Sequence, residues 1–257
     1  MDGRGEVWYH PVNPFAFFYN EFLWRPLFNG LVGLYIILPG HDLGLAIILL
    51  TLIIRAALAP LLSRAQESQR AMAILQPEVK RIHDQFKNNR EAQGKALMAL
   101  YAEHRVSPFF AFLALVVQLP ILIALFQVFR QGLQASSLVY LYAFIPHPAL
   151  LNPVSVGFLN LGKGNIILGV VAALTQYFQT RLITPPSRPD SDPKDFAAIL
   201  QWQTLYLFPG LILVWSYSLP SALTLYWTVM NTFGIVQELI KRRKVLRDAH
   251  GHGNAQK

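Results

Sequence analysis

The 257-residue chain contains no cysteine. Disulfides, thiolate nucleophiles and cysteine-ligated metals are therefore excluded. Charge is also scarce: Asp, Glu, Lys and Arg make up 14% of the residues, where soluble domains carry about a quarter. No P-loop, metal-ligand spacing or nucleophile–base pattern occurs, so neither an enzyme nor a bound cofactor is expected. His250 and His252, in the terminal HGHG, read as tail residues rather than ligands. No internal repeat is visible, which disfavours an inverted-repeat transporter. The opening MDGRGEVWYHPVNPF lacks the basic start and apolar core of a signal peptide. The chain is expected to enter a membrane through its own helices.

What the sequence has in abundance is apolar residues, 53% of the total. The reading is an all-α polytopic membrane protein with five spans, each near the length that a hydrocarbon core of about 30 Å demands. They are expected at 43–62, 109–130, 166–182, 203–219 and 222–239. Residues 1–42 form an outer tail ending in an interfacial amphipathic helix, with Glu21, Arg25 and Asn29 as its polar stripe and Phe15, Phe18 and Phe22 lying away from it. Residues 63–108 read as a cytoplasmic helical hairpin joined near Asn88–Asn89. Its first helix carries Ala71, Leu75, Val79, Ile82 and Phe86 on one face, and Pro77 should kink it. The segment 131–165 is expected to lie along the outer interface. The proline-rich 183–202 reads as a cytoplasmic loop, and 240–257 as a basic cytoplasmic tail. The connection at Leu219–Ser221 is so short that the fourth and fifth spans are expected to pair tightly.

Lys and Arg set the orientation. They crowd 62–108, the segment after the third span, and the tail from Lys241 onward. Arg4, Arg25, Arg130 and Lys163 stand on the other side. The N-terminus is thus expected outside and the C-terminus in the cytoplasm. The formal net charge of +8 is explained by topology without invoking DNA or RNA, although the basic tail could touch ribosomal RNA electrostatically.

Arg55 lies inside LGLAIILLTLIIRAALAPLL. A charge at such depth costs roughly 2.5–3.5 kcal/mol on insertion scales, and it usually faces protein or water rather than lipid. Counting about 1.5 Å per residue, Arg55, Gln118, Gln176 and Asn231 lie roughly 9–14 Å in from the cytoplasmic ends of four spans. Thr51 stands one turn above Arg55. The spans are read as free of acidic residues, which argues against a proton relay or cation site. Each amide could be a plain interhelical hydrogen bond, and Arg55 could snorkel to cytoplasmic water. Together they read better as the lining of a wet, positively charged pocket open to the cytoplasm. Such a pocket would lower the desolvation cost of moving a short polar or acidic peptide segment partway across the bilayer.

The same residues resemble the YidC family of membrane protein insertases, with its mitochondrial Oxa and chloroplast Albino relatives. The resemblance runs from about Gly44 to Lys241. It rests on Thr51, Arg55, Pro60 and Leu61; then Ser68, Leu75-Gln76-Pro77 and Met98-Ala99-Leu100-Tyr101; then Val106, Pro108 and Gln118-Leu119-Pro120-Ile121; then Gln176, Pro209, Pro220, Leu225-Tyr226-Trp227, Asn231 and Gln237. Their order and spacing are specific where each piece is weak. The resemblance implies a short bacterial type in the cytoplasmic membrane: a five-helix core around a hydrophilic groove that contains Arg55, with Thr51 and Trp227 as substrate contacts. It implies a hydrophobic exit path along Ile121, Phe126, Phe208 and Leu213. It also implies nascent membrane proteins as partners, with the ribosome and the Sec translocon as further candidates, and action without nucleotide. The sequence departs from the pattern at Phe109-Phe110-Ala111-Phe112, where the family often has Gly-Gly-Cys. A second departure is Pro220-Ser221-Ala222-Leu223, where Pro-x-Gly-Leu is common. The large periplasmic domain of some members and the lipoprotein cysteine of others are not found here.

Two other classes compete with insertion. A small-solute channel or transporter would need a continuous pore and a selective site. A pure assembly scaffold would act through the cytoplasmic hairpin alone.

Overall fold

A computed structural model describes residues 14–131, 134–148, 150–184 and 202–254 of the chain. The expected loop at 183–202 and the start of the outer tail lie largely outside them. The described part is helical apart from a small cap. Helix α1 (Pro14–Tyr19) passes through one π-helical turn, Asn20–Trp24, into α2 (Arg25–Ile37). Helix α3 (Leu43–Gln85) follows, then α4 (Arg90–Glu103), α5 (Pro108–Gln131) and α6 (Ile166–Ile183). A second π-helical turn, Gln203–Leu207, leads into α7 (Phe208–Ser218), and α8 (Ser221–Asn254) ends the described chain. Three of these helices, α3, α5 and α6, are long and apolar enough to cross a membrane. The core is built from Phe28, Leu31, Val32, Ile47, Leu125, Phe129 and Tyr226 of α2, α3, α5 and α8.

α3 spans 43 residues, about 64 Å at 1.5 Å per residue. It is one uninterrupted helix across Pro60 and Pro77. Each proline removes one ladder bond, yet neither breaks the helix, because Leu62, Ala65 and Leu75 are held in contact on its buried side. The apolar half of α3 continues straight into the charged half, and α4 folds back along it. Asn89 caps α4 by accepting a hydrogen bond from the Ala92 N–H at 3.0 Å. Leu75 of α3 and Leu100 of α4 are buried in this hairpin.

At the opposite end of the bundle, residues 134–148 and 150–165 fold into a cap. A two-strand ribbon, β1 (Val154–Ser155) with β2 (Leu159–Asn160), carries a tight tip. The polar stripe of the first helix faces this cap rather than water. Asn29 donates to the Tyr140 carbonyl at 3.1 Å and accepts from the Tyr142 N–H at 2.7 Å. Arg25 donates to the same carbonyl at 3.2 Å and lies 5.1 Å from the Tyr142 ring centroid. The opposite face, with Trp24, Phe28 and Leu31, is buried in the core. The helix is therefore held by the cap and by the core, while Phe15, Phe18 and Phe22 stay exposed.

Asp42 ties the cap to α3. It caps α3 by accepting from the Leu45 N–H, and it also accepts from the Ser155 hydroxyl and the Val156 N–H, both at 2.6 Å. Burial raises its pKa, but these bonds outweigh burial and hold it below the usual carboxylate range. The tie therefore stabilises the fold above the unfolded carboxylate value of about 3.9, and the contribution is lost as pH falls through the lower folded value.

The tight pairing expected between the fourth and fifth spans is not what forms. α6 packs against both α7 and α8, while α7 and α8 touch each other little. The chain segment just before α6 wedges between their joined ends. Asn165 N–H donates to the Ser216 carbonyl at 3.0 Å, Ser221 N–H to the Lys163 carbonyl at 2.9 Å, and Ala222 N–H to the Leu161 carbonyl at 3.0 Å. Small residues then let α6 approach on both sides. A Cβ on Gly169 would overlap the Ser216 side chain of α7, and one on Gly234 of α8 would overlap the Gln179 amide of α6. We predict that Gly169→Leu costs about 1–3 kcal/mol by overpacking. The check is the thermal midpoint of the detergent-solubilised protein, with Gly210→Leu, where a Cβ meets open space, as the matched control.

Candidate functional site

Arg55 projects from α3 toward α8. Its Nη2 reaches the Met230 carbonyl at 3.5 Å, the outer limit of a hydrogen bond, and its Nε is buried without a partner. The Tyr226 hydroxyl, one turn before Met230, is close enough to interact with the guanidinium electrostatically. Gln118 of α5 donates to that hydroxyl at 2.6 Å. Three helices thus converge on one polar centre, with Tyr226 linking Arg55 to Gln118. Sequence reading quoted Tyr226 only as part of a motif and missed this role. The available signal was its i,i+4 spacing to Met230, which puts both on the face that Arg55 meets.

Asn231 is fully buried in α8, and neither atom of its amide has a partner among the described residues; the Thr224 hydroxyl is in the same condition. Leaving a buried polar group unpaired costs about 1–3 kcal/mol. A guanidinium carries five N–H donors, and among the described residues Arg55 meets one close acceptor.

The other expected site residues fall elsewhere. Thr51 is buried, and its hydroxyl donates to the Ile47 carbonyl of its own helix at 2.6 Å. Gln176 donates within α6 to the Thr180 hydroxyl at 3.1 Å, while the α6 amide that meets α8 is Gln179. Trp227 is buried and stacks on Trp215 of α7, with centroids 6.4 Å apart and planes 20° apart. Of the exit-path residues, Ile121 is buried in the core and Phe126 packs against it. Phe208 is half-exposed and Leu213 partly buried, so the four do not make one exposed strip.

One finding corrects the reading of acid-free spans. Glu238 lies inside 222–239 and is buried, with 2% exposure. Its carboxylate is 2.6 Å from Arg70 Nη2 and 2.9 Å from Arg242 Nε. The same arginines donate to the last carbonyls of α6, Arg70 to Ile183 at 3.2 Å and Arg242 to Leu182. Gln237 donates to the Ser63 hydroxyl at 3.0 Å, and Lys241 pairs with Glu67 at 3.3 Å. α3 and α8 are therefore laced together by polar contacts on the hairpin side of Arg55. An i,i+4 pair of Glu238 with Arg242 was the legible sign.

Comparison with known proteins points in one direction. A sequence profile of the 60Kd inner membrane protein family matches residues 36–248. The membrane protein insertase YidC of Chloroherpeton thalassium is 31% identical over 236 residues, covering 90% of this chain and 36% of that protein. The membrane protein insertase YidC 2 of Bacillus anthracis is 30% identical over 243 residues, covering 92% of this chain and 86% of that one. The chain thus spans about a third of the first relative and most of the second. A crystal structure described as an active YidC insertase with its first transmembrane domain resolved superposes with a TM-score of 0.52 at 26% identity, covering 85% of this chain and 46% of that one.

Two outcomes are expected. Single cysteines placed at 55 and 118 on the cysteine-free background should react with a membrane-impermeant thiol reagent from the hairpin side. A cysteine at the fully packed Leu125 should not; equal silence at all three sites would mean a dry centre. Glu238→Ala should lower stability by about 1–2 kcal/mol, discounted because Arg242 is half-exposed. Thermal melting, with Glu67→Ala as the exposed comparison, reads this effect.

Proposed function

Since this chain belongs to the 60Kd inner membrane protein family, we propose that it inserts membrane proteins. Apolar nascent segments enter a hydrated cleft beside Arg55 and leave sideways into the bilayer, without nucleotide hydrolysis. The observation that carries this reading is the incompletely paired guanidinium of Arg55 near the amides of Gln118 and Asn231, at the junction of α3, α5 and α8. Moving a polar flank of a client across hydrocarbon costs several kcal/mol per unpaired group. A cleft that already holds water and donors removes part of that cost. The guanidinium adds attraction for a carboxylate, strengthened by the low dielectric around it. The energy for release comes from the client itself, at roughly 25 cal/mol for each Å² of apolar surface that reaches lipid.

In this reading five helices span the membrane, with α7 and the first part of α8 joining α3, α5 and α6. The hairpin end faces the cytoplasm, as the lysines and arginines of 63–108 and the tail require, and the cap end faces outward. No close packing joins α5 to α7 among the described residues, which favours this side for lateral release past Phe208 and Leu213. Gln118 and Asn231 line the path beside Arg55, while Thr51, Trp227 and Gln176 shape the surrounding helices. Nascent membrane proteins are the clients, with the ribosome and a Sec translocon as candidate partners on the hairpin side. Ile74 and Met98, 63% and 65% exposed on the hairpin, favour a second role for it in receiving apolar segments.

Arg55→Ala should slow insertion of clients with acidic translocated segments by about tenfold, the loss of one hydrogen bond to a charged group. Arg55→Lys should retain much of the rate. Protease protection of radiolabelled clients in reconstituted vesicles measures both, and unchanged rates for every acidic client would refute the cleft mechanism.

A further inference from the structure

The tip of the cap ribbon carries a feature that neither folding nor insertion explains. Val156 has a φ of +52° and is 68% exposed. A β-branched residue is an outlier in this left-handed region, and such conformations cost about 1–3 kcal/mol. Glycine or asparagine would hold the same turn at less cost, as Gly157 does beside it with φ +80°. Phe158, the next residue, is 82% exposed. Two large apolar side chains thus sit at a tight tip where water would favour neither.

Their height is fixed by Asp42. That residue accepts from the Val156 N–H and the Ser155 hydroxyl. It is also the cap residue immediately before Leu43, where the apolar run of α3 begins. The tip is therefore pinned at the level where hydrocarbon gives way to headgroups. Lys163, exposed a few residues further on, stands ahead of α6 at the same end of the bundle, placed to meet lipid phosphate while its stem lies along the interface.

We propose that the Val154–Asn160 ribbon is a membrane anchor: Val156 and Phe158 insert into the leaflet at the cap end, and Asp42 transmits that depth to α3. The occupant is the lipid surface, because the tip is bonded to the residue that opens a membrane-crossing helix. This inference is independent of the insertion mechanism, since it concerns the opposite end of the bundle from the polar lacing and requires no client.

The test uses the cysteine-free 257-residue chain in phosphatidylethanolamine–phosphatidylglycerol vesicles. An environment-sensitive fluorophore on Phe158→Cys should emit to the blue of one on Gly94→Cys in the hairpin. Lipids carrying a nitroxide near the headgroup should quench it at least about threefold more strongly, as for an interfacial apolar side chain. A second label on Gly162→Cys leaves the tip intact. Val156→Asp with Phe158→Asp should reduce its quenching by about half or more, at an unchanged thermal midpoint in detergent, because both side chains are exposed in the fold. A label at 158 that aqueous iodide quenches as well as the one at 94 would overturn the proposal and leave a protein partner as the tip's occupant. Quenching at 162 that ignores the double substitution would overturn it too. Insertion assays on the same vesicles report separately on the Arg55 cleft.

Discussion

A polar group inside a bilayer must find a partner within the protein or keep water beside it, and Arg55 does neither completely through protein contacts. Its only close acceptor among the described residues is a helix carbonyl at 3.5 Å, and that carbonyl already serves its own helix. The surrounding residues are organised around this shortfall. Tyr226 places a hydroxyl next to the guanidinium and passes the contact on to Gln118. Asn231 adds an amide with no partner of its own. A core of leucines at this junction would pack more tightly, so the polar centre is retained at a cost in stability. That is the usual mark of a site under functional constraint.

The helices around the centre are held by contacts that lie to either side of it. α6 is locked between α7 and α8 by small residues and by the wedge at Leu161–Asn165, which stiffens that half of the bundle. α3 and α5 form the other half with α2 and the cap. α8 bridges the halves, and its polar lacing to α3 through Ser63, Glu67 and Arg70 closes one seam. Among the described residues no comparable set of polar contacts joins α5 to α7. The proposed cleft would open along that seam.

Much of this was legible in the sequence. Apolar run lengths give the helices, the hairpin stripe at Ala71, Leu75, Val79 and Ile82 gives its buried face, and a lone arginine in an apolar run announces a polar centre. Other features were not legible, for physical reasons. The polar stripe of the first helix could as well face water as a protein partner, and only the folded cap around Tyr140 and Tyr142 decides between them. The pairing of α7 with α8 looked forced by their short connection. A close approach through Gly169 and Gly234 prevailed, and small-residue seams depend on which helices meet, not on any one helix's pattern. Gln176 and Gln179 sit three positions apart, and a rotation of α6 too small to read from periodicity decides which of them reaches α8. Glu238 was passed over because it stands at the very end of an apolar run, where a charge ordinarily reaches solvent.

α3 passes without a break from the Arg55 turn to the far end of the hairpin at Gln85. Thirty residues of helix separate those points, about 45 Å of rod. Anything that docks on the hairpin tip consequently holds a long arm whose other end is the guanidinium. With Pro60 weakening the ladder between the two, a modest sideways pull at the tip becomes torque on the seam that Arg70 and Glu238 hold shut. One continuous helix thus joins the hairpin tip to the turn that carries Arg55, with Pro60 as the joint between them.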